Sequence, residues 1–408
     1  MGGTLDAASI PGRRHGLAAA LAGAVLIAPF AVGAEENGTL SIATWGGAYG
    51  QSQEIALFEP FAKETGTKIA MEIYDGSLAG IRQMIDGSGT PVDVVDVSSA
   101  TLGALCGDGL LETIETSALG SAPGGASVAE DFLSGALSSC GVASMAWSTA
   151  IAYDRRAFAK NAPASIAALL DTKTFPGKRA LPDGPRYTLE LALLADGIPP
   201  ESVYSELATQ TGADRAFAAL DRIKDDIVWW DEAQQSIEWL MEKKVAMAAS
   251  YSGRIFRAAV GQRQRLGVIW DGQIYDLDLW AIPKSAKNKD AAMRFIAFAT
   301  EPERLAAQAR LIAYGPMRKS ALELVGQHPV INVDMKDFLP TAPDNFKTAL
   351  RFDDAWWTRH GEALKKRFEA WRAETAAAEA TPQDAAPGGE QDPASSDSPA
   401  DDSPSEAQ

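Results

Sequence analysis

Between residues 39 and 99 the hydrophobic period switches again and again, and this limits the fold more than any single motif does. "TLSIATW" (39–45) reads as a strand. Residues 51–65 set Ile55, Phe58 and Phe61 three apart on one helical face, and Gly66 supplies the stop. "TKIAMEIY" (67–74) then alternates Ile69, Met71 and Ile73 at the period of a strand. "SLAGIRQMID" (77–86) gathers Leu78, Ile81, Met84 and Ile85 on one helical face. "PVDVVDVSS" (91–99) is a short β-branched run suited to a buried parallel strand. Three strands alternating with two helices predict an α/β layer built on a parallel sheet.

The pattern changes at "CGVASMAWSTAIAYD" (140–154), a long extended apolar run, and helices with their own strand signals follow. "RLGVIWDGQIYDLDLWAIP" (265–283) is strand-like again, and "KNKDAAMRFIAFAT" (287–300) is helical. The chain thus leaves one α/β lobe near residue 143, builds a second, and returns near residue 267. The expected division is 39–143 plus 267–315 for lobe 1 and 144–266 plus 316–372 for lobe 2. A discontinuous first domain of this kind puts a cleft between two lobes. Residues 353–378 read as one long helix, with Trp357, His360, Leu364, Phe368 and Trp371 on a packing stripe.

Both ends differ from this body. "GRRHG", the apolar "LAAALAGAVLIAPFAV" and the small residues before Glu35 have the form of a signal peptide over 1–34, cleaved after about Ala34. That implies export to the periplasm. Residues 373–408 hold acidic, Pro, Ala, Gly and Ser residues, with no aromatic and no basic one. Such a segment has too little apolar surface to offset its ordering entropy, so a disordered acidic tail is expected. In an oxidising compartment the chain's two cysteines, Cys106 and Cys140, are expected to pair. A loop of about 35 residues closed in this way stabilises by roughly 3–4 kcal/mol.

The formal net charge of −17 argues against a nucleic-acid partner, which needs a basic patch. Signs of catalysis are few. Three histidines are present, and none has a Cys or second His at metal-ligand spacing. There is no G-x-S-x-G, no Walker loop and no G-x-G-x-x-G after a strand. No catalytic residue, metal site or cofactor is therefore assigned. Aromatic residues beside turns stand out instead: Trp45, Tyr49, Trp147, Tyr187, Trp229, Trp230, Tyr251, Trp270, Tyr275, Trp280 and Tyr314. Some of these pack in the core. Others can face a cleft and hold a cation by cation–π attraction, worth roughly 2 kcal/mol when desolvated.

"IATWGGAYG", "FAKETGTKI", "VDVVDVSSATL", "LCGDGLLE", "GQIYDLDLWAIPKSAKNKDAA" and "IAYGPMRKSA" follow one another in an order that resembles the periplasmic solute-binding proteins of ABC importers. The resemblance runs from about residue 39 to 372 and points to the spermidine/putrescine-binding branch. It implies a type II two-lobed α/β binding protein, each lobe a mixed sheet flanked by helices, joined by a hinge of crossing strands. It also implies a monomer that presents a captured ligand to an inner-membrane permease. Matched to the family's pattern, Trp45 becomes an aromatic wall and Tyr49 the rim of the cleft. Ser98 falls after the third strand, and Tyr251 takes the place of a stacking Trp. Asp278 becomes the acceptor for a terminal ammonium, and Tyr314 lies near the hinge.

Two departures bear on the ligand. Arg254 stands where polyamine binders carry an acid, and near another such acid the chain has Arg186 and Tyr187, with Asp183 the nearest carboxylate. An Arg in the cleft repels an ammonium and attracts a carboxylate. If the arginines point outward, or pair with Asp183 or Asp276, a polyamine such as putrescine or spermidine fits. If Arg254 faces the cleft with Asp278, the ligand carries both an amine and an acid, as an amino acid derivative or an amine–sugar acid conjugate does. An exported hydrolase is the reading from outside the binding-protein class.

Overall fold

The computed structural model describes residues 38–379. The expected signal peptide, and the tail beyond residue 379, lie outside the described residues. Within them, ten strands form one sheet. In chain order they are β1 (Thr39–Thr44), β2 (Lys68–Ile73), β3 (Val94–Ser98), β4 (Val142–Asp154), β5 (Arg179–Pro182), β6 (Ile227–Trp230), β7 (Met247–Tyr251), β8 (Leu266–Ala281), β9 (Gly315–Pro316) and β10 (Leu350–Arg351). The order across the sheet is β2-β1-β3-β8-β4-β7-β5-β6, with β10 on β8 and β9 on β4.

β1, β2 and β3 pair in parallel, as do β5, β6 and β7. Crossover helices make those pairings possible. The long strands β4 and β8 run antiparallel to each other and join the two parallel blocks. One large core packs Leu40, Ile42, Phe58, Phe61, Val95 and Trp280 with Phe295 and Phe298 of the helix Lys289–Ala299. A second packs Ile151, Leu181, Leu191, Phe217 and Ile274 with Trp357, Leu364 and Phe368 of the C-terminal helix Asp354–Glu379. β4 and β8 contribute to both, so each is continuous from one core to the other.

Two differences from the sequence reading have local causes. The helix expected from Gln51 starts four residues earlier, at Gly47, because Gly46 (φ +71°) makes the turn out of β1. It widens into a π-helical turn over Glu54–Phe58, just ahead of Pro60, which has no N–H to donate. β2 is an edge strand, so Ile73 is 61% exposed although it lies on the alternating stripe. The C-terminal helix, expected over 353–378, spans Asp354–Glu379, so residues 373–379, also assigned to the tail, belong to its last turns. Cys106 and Cys140 are joined in a disulfide.

Candidate functional site

A cavity of about 430 Å³ opens where β3, β8, β4 and β7 lie side by side, and it is lined by Trp45, Tyr49, Ser98, Trp147, Tyr251, Arg254, Asp278 and Tyr314. Its size falls in the small-molecule range. Several lining residues stand at or just beyond an element's end. Trp45 follows β1, and Ser98 ends β3 and caps the helix Ser99–Gly107. Tyr251 ends β7, and Arg254 lies on the next short helix, Ser252–Phe256.

Asp278 lies inside β8, opposite Ser98 on β3 and Met145 on β4. A bulge at Ser144 breaks the β4–β8 register beside it, and the Ser144 hydroxyl donates to the Asp278 carbonyl at 3.0 Å. Asp278 is 6% exposed, and among the described residues no ion pair involves it. Burial, and then the charges of Asp96 and Asp276, push its carboxyl well above the ordinary carboxylate range, while the Trp147 side chain opposes this by hydrogen bonding. A carboxylate in such a place is stabilised by an incoming cation.

Aromatic rings surround it. Tyr49 and Tyr314 meet at 5.6 Å, and Trp147 and Tyr251 meet edge-on at 5.4 Å. Trp45 packs on Tyr74 at 5.4 Å, and Gly76 leaves room for its indole. Burial raises the Tyr314 hydroxyl to about 12, so it stays a neutral hydrogen-bonding group. Arg254 supplies the opposite charge. Its guanidinium is exposed and donates to Gln234 Oε1 at 2.6 Å, which steadies it at the cavity. The pocket therefore has a buried anionic end, an aromatic body and a cationic side.

Seven of the eight residues singled out from the sequence as ligand contacts line this one cavity, all except Tyr187. The Tyr187 ring stacks on Phe352 at 4.5 Å with the backbone at φ +64°, and it packs against the second core. Its neighbour Arg186 turns to Asp354 at 3.3 Å, and Asp183 is held by Arg372 at 3.2 Å. Of the two arginines, then, only Arg254 lines the cavity. Tyr49, expected at the rim, is 7% exposed and sits deep, with its hydroxyl 3.4 Å from the Ser144 hydroxyl. Trp147 was visible only as one turn-side aromatic among many. Asp96 and Gln234 went unmarked, although a lone Asp in the apolar run of β3 was a readable signal. Among the described residues, no group of three or more His, Cys, Asp or Glu could hold a metal ion, and no helix is long and apolar enough to cross a membrane.

Residues 56–336 match the family described as bacterial extracellular solute-binding protein. The gamma-aminobutyric acid-binding protein of Pseudomonas aeruginosa is 39% identical over 345 residues, covering 84% of this chain and 94% of that protein. The spermidine/putrescine-binding periplasmic protein of Escherichia coli is 24% identical over 376 residues, covering 90% and 95%. Among solved structures, the Atu4243-GABA receptor superposes with a TM-score of 0.65 at 29% identity, covering 82% of this chain and 98% of that one. The mixed sheet with flanking helices is that of the two-lobed solute-binding proteins.

Proposed function

Because the chain belongs to the bacterial extracellular solute-binding proteins of ABC importers, we propose that it captures a small zwitterion in the periplasm and delivers it to a membrane permease. The ligand's ammonium sits against Asp278 and its carboxylate against Arg254. The observation that carries this reading is that both side chains line one aromatic cavity. The two lobes divide at 39–143 plus 267–315 and 144–266 plus 316–372. The two large hydrophobic cores follow that division in the main, although Ile269 and Ile274 of β8 pack with the second core, Ala146 and Met317 with the first, and a smaller core packs Tyr49 and Ala306 with Phe256 and Leu322.

The strand register supports a ligand with its charges apart. Asp278 faces Met145 and Tyr251 faces Thr149, four residues along β4 and two strand spacings across the sheet. At about 3.4 Å per residue and 4.8 Å per strand, the two Cα atoms are on the order of 16 Å apart. Arg254 lies three residues beyond Tyr251 on the next helix, so its guanidinium can meet a carboxylate well away from Asp278, which suits an amine and a carboxylate separated by a short apolar chain. In an α-amino acid both charges flank one carbon. The names of the Pseudomonas aeruginosa relative and of the GABA receptor agree with a γ-amino acid. The polyamine implied by the sequence resemblance has less support. Its bearer is the more distant relative, and Arg254 repels a second ammonium.

Calorimetric titration with γ-aminobutyrate, 2-aminobutyrate, putrescine and spermidine tests this. Binding of γ-aminobutyrate at micromolar affinity or better, roughly −8 kcal/mol, is expected, at least tenfold tighter than the other three. Tighter binding of either polyamine overturns the reading. Recovery of the ligand chemically changed after incubation overturns the assignment as a binder without catalysis.

A further inference from the structure

Asp278 shares its sheet face with a second buried carboxylate. Ser98 lies opposite Asp278 and Asp96 opposite Trp280, so Asp96 is the diagonal neighbour of Asp278 across the β3–β8 ladder. Asp96 is fully buried. Gln53 Nε2 donates to its Oδ2 at 2.5 Å, Thr44 donates to Gln53 Oε1 behind it, and Oδ1 has no partner. Among the described residues no ion pair involves Asp96, Asp276 or Asp278.

The groups facing the pair come from every side. Tyr49 approaches from the first helix and Tyr74 from the loop after β2, its hydroxyl donating to the Asp96 carbonyl at 2.9 Å. Ser144 and Trp147 approach from β4, Asp276 from β8, Tyr314 from beside β9, and Arg254 from the helix after β7. Of these only Arg254 is a cation, and it lies on the exposed side of the cavity bonded to Gln234. The tyrosine hydroxyls are raised by burial and stay neutral. Asp96 itself is raised by burial to about 7, against the hydrogen bond from Gln53 that favours its charge. Two carboxylates this close in a low-dielectric wall cannot both ionise without a cation.

We propose that Asp96 and Asp278 hold one proton between them when the cavity is empty, and that an ammonium arriving at Asp278 expels this proton to solvent. The inference rests on the reading of Asp278 as the ammonium site. The carboxylic O–H breaks and its proton passes to bulk water. The ammonium keeps its own protons and donates one hydrogen bond to the carboxylate left behind. At the Asp96–Asp278 pair one positive charge enters and one leaves, so its charge is unchanged, while the ligand's carboxylate brings one negative charge to Arg254. Asp96 is thus a positioning residue that acts through Asp278. Because the proton competes with the ligand, affinity increases about tenfold per pH unit below the titration of the empty pair and levels off above it.

γ-Aminobutyrate is the probe, since its own groups titrate near 4 and 10, outside the window. Calorimetry of the purified protein in buffers of different ionisation heat counts the protons released. Release of about one proton per ligand at pH 6, with affinity about tenfold tighter at pH 6.5 than at 5.5, is expected. Asp96→Asn keeps a carbonyl acceptor for Gln53 and removes the neighbouring charge, so it should reduce the release at pH 6 and move the affinity profile to lower pH, burial alone still holding the Asp278 carboxyl up. Tight binding without proton release, or equal release in D96N, overturns the proposal and leaves the ligand assignment standing. If D96N does not fold, the wild-type proton count decides alone. No γ-aminobutyrate binding at any pH overturns both.

Discussion

Replacing Arg254 with Ala isolates the carboxylate end of the cavity. The guanidinium has five N–H donors, and one is engaged, to Gln234 at 2.6 Å. The others can meet a carboxylate. A hydrogen bond to a charged group contributes about 1.5–3 kcal/mol, and Arg254 is exposed, so water and salt hold it to the lower part of that range. A loss of about 2 kcal/mol corresponds to roughly thirtyfold weaker binding of γ-aminobutyrate. The fold should not respond, because the side chain is at the surface. Putrescine has no carboxylate and is repelled by the wild-type guanidinium, so its affinity should hold or improve. Titration of both ligands against both proteins at low and high salt gives the answer, with the Arg254 effect shrinking as salt rises. A γ-aminobutyrate affinity within threefold of wild type, or equal weakening of both ligands, refutes the carboxylate role.

Other perturbations separate scaffold from site. Reducing the Cys106–Cys140 bridge, or replacing both residues with Ser, should lower unfolding free energy by roughly 4 kcal/mol for a separation of 34 residues. Urea melts with and without reductant measure this, and unchanged midpoints would contradict it. Gly76→Ala should strain a backbone at φ +79° by about 1–2 kcal/mol and drive a methyl into the Trp45 indole. Ligand affinity should fall on the order of tenfold with an altered tryptophan emission spectrum, given the cation–π contribution at stake. Unaltered affinity would remove Trp45 from the site.

Much of the first α/β block was legible because its period switches are clean and its inner strands β1 and β3 are largely buried. The cavity was legible for a different reason: a resemblance carried along ordered segments marked the ends of strands. The failures are physical. Tyr187 is near the cleft in sequence terms, but its ring finds a better partner in Phe352, a residue 165 positions on. The fate of Arg186 was equally unreadable, since Asp354 lies on a distant helix. Ile73 shows that alternation in an edge strand does not guarantee a buried face. Asp96 was readable as an acid within an apolar strand, but its partner was not, because such an acid looks the same in sequence whether it meets a cation or another acid.

The interleaving of β4 and β8 also fixes an order of events in folding. The pairing of Ser98 with Asp278 joins residues about 180 apart, and Trp280 and Phe295 complete a core begun at Leu40. A chain emerging from its amino terminus cannot finish that core until its last third arrives, whereas residues 151 to 249 already contain most of the second. Contacts of such separation carry the largest loop-closure entropy and form late. The binding cavity, which needs β3, β8, β4 and β7 together, is therefore among the last features to exist. A ligand that recognises it reports a completed chain.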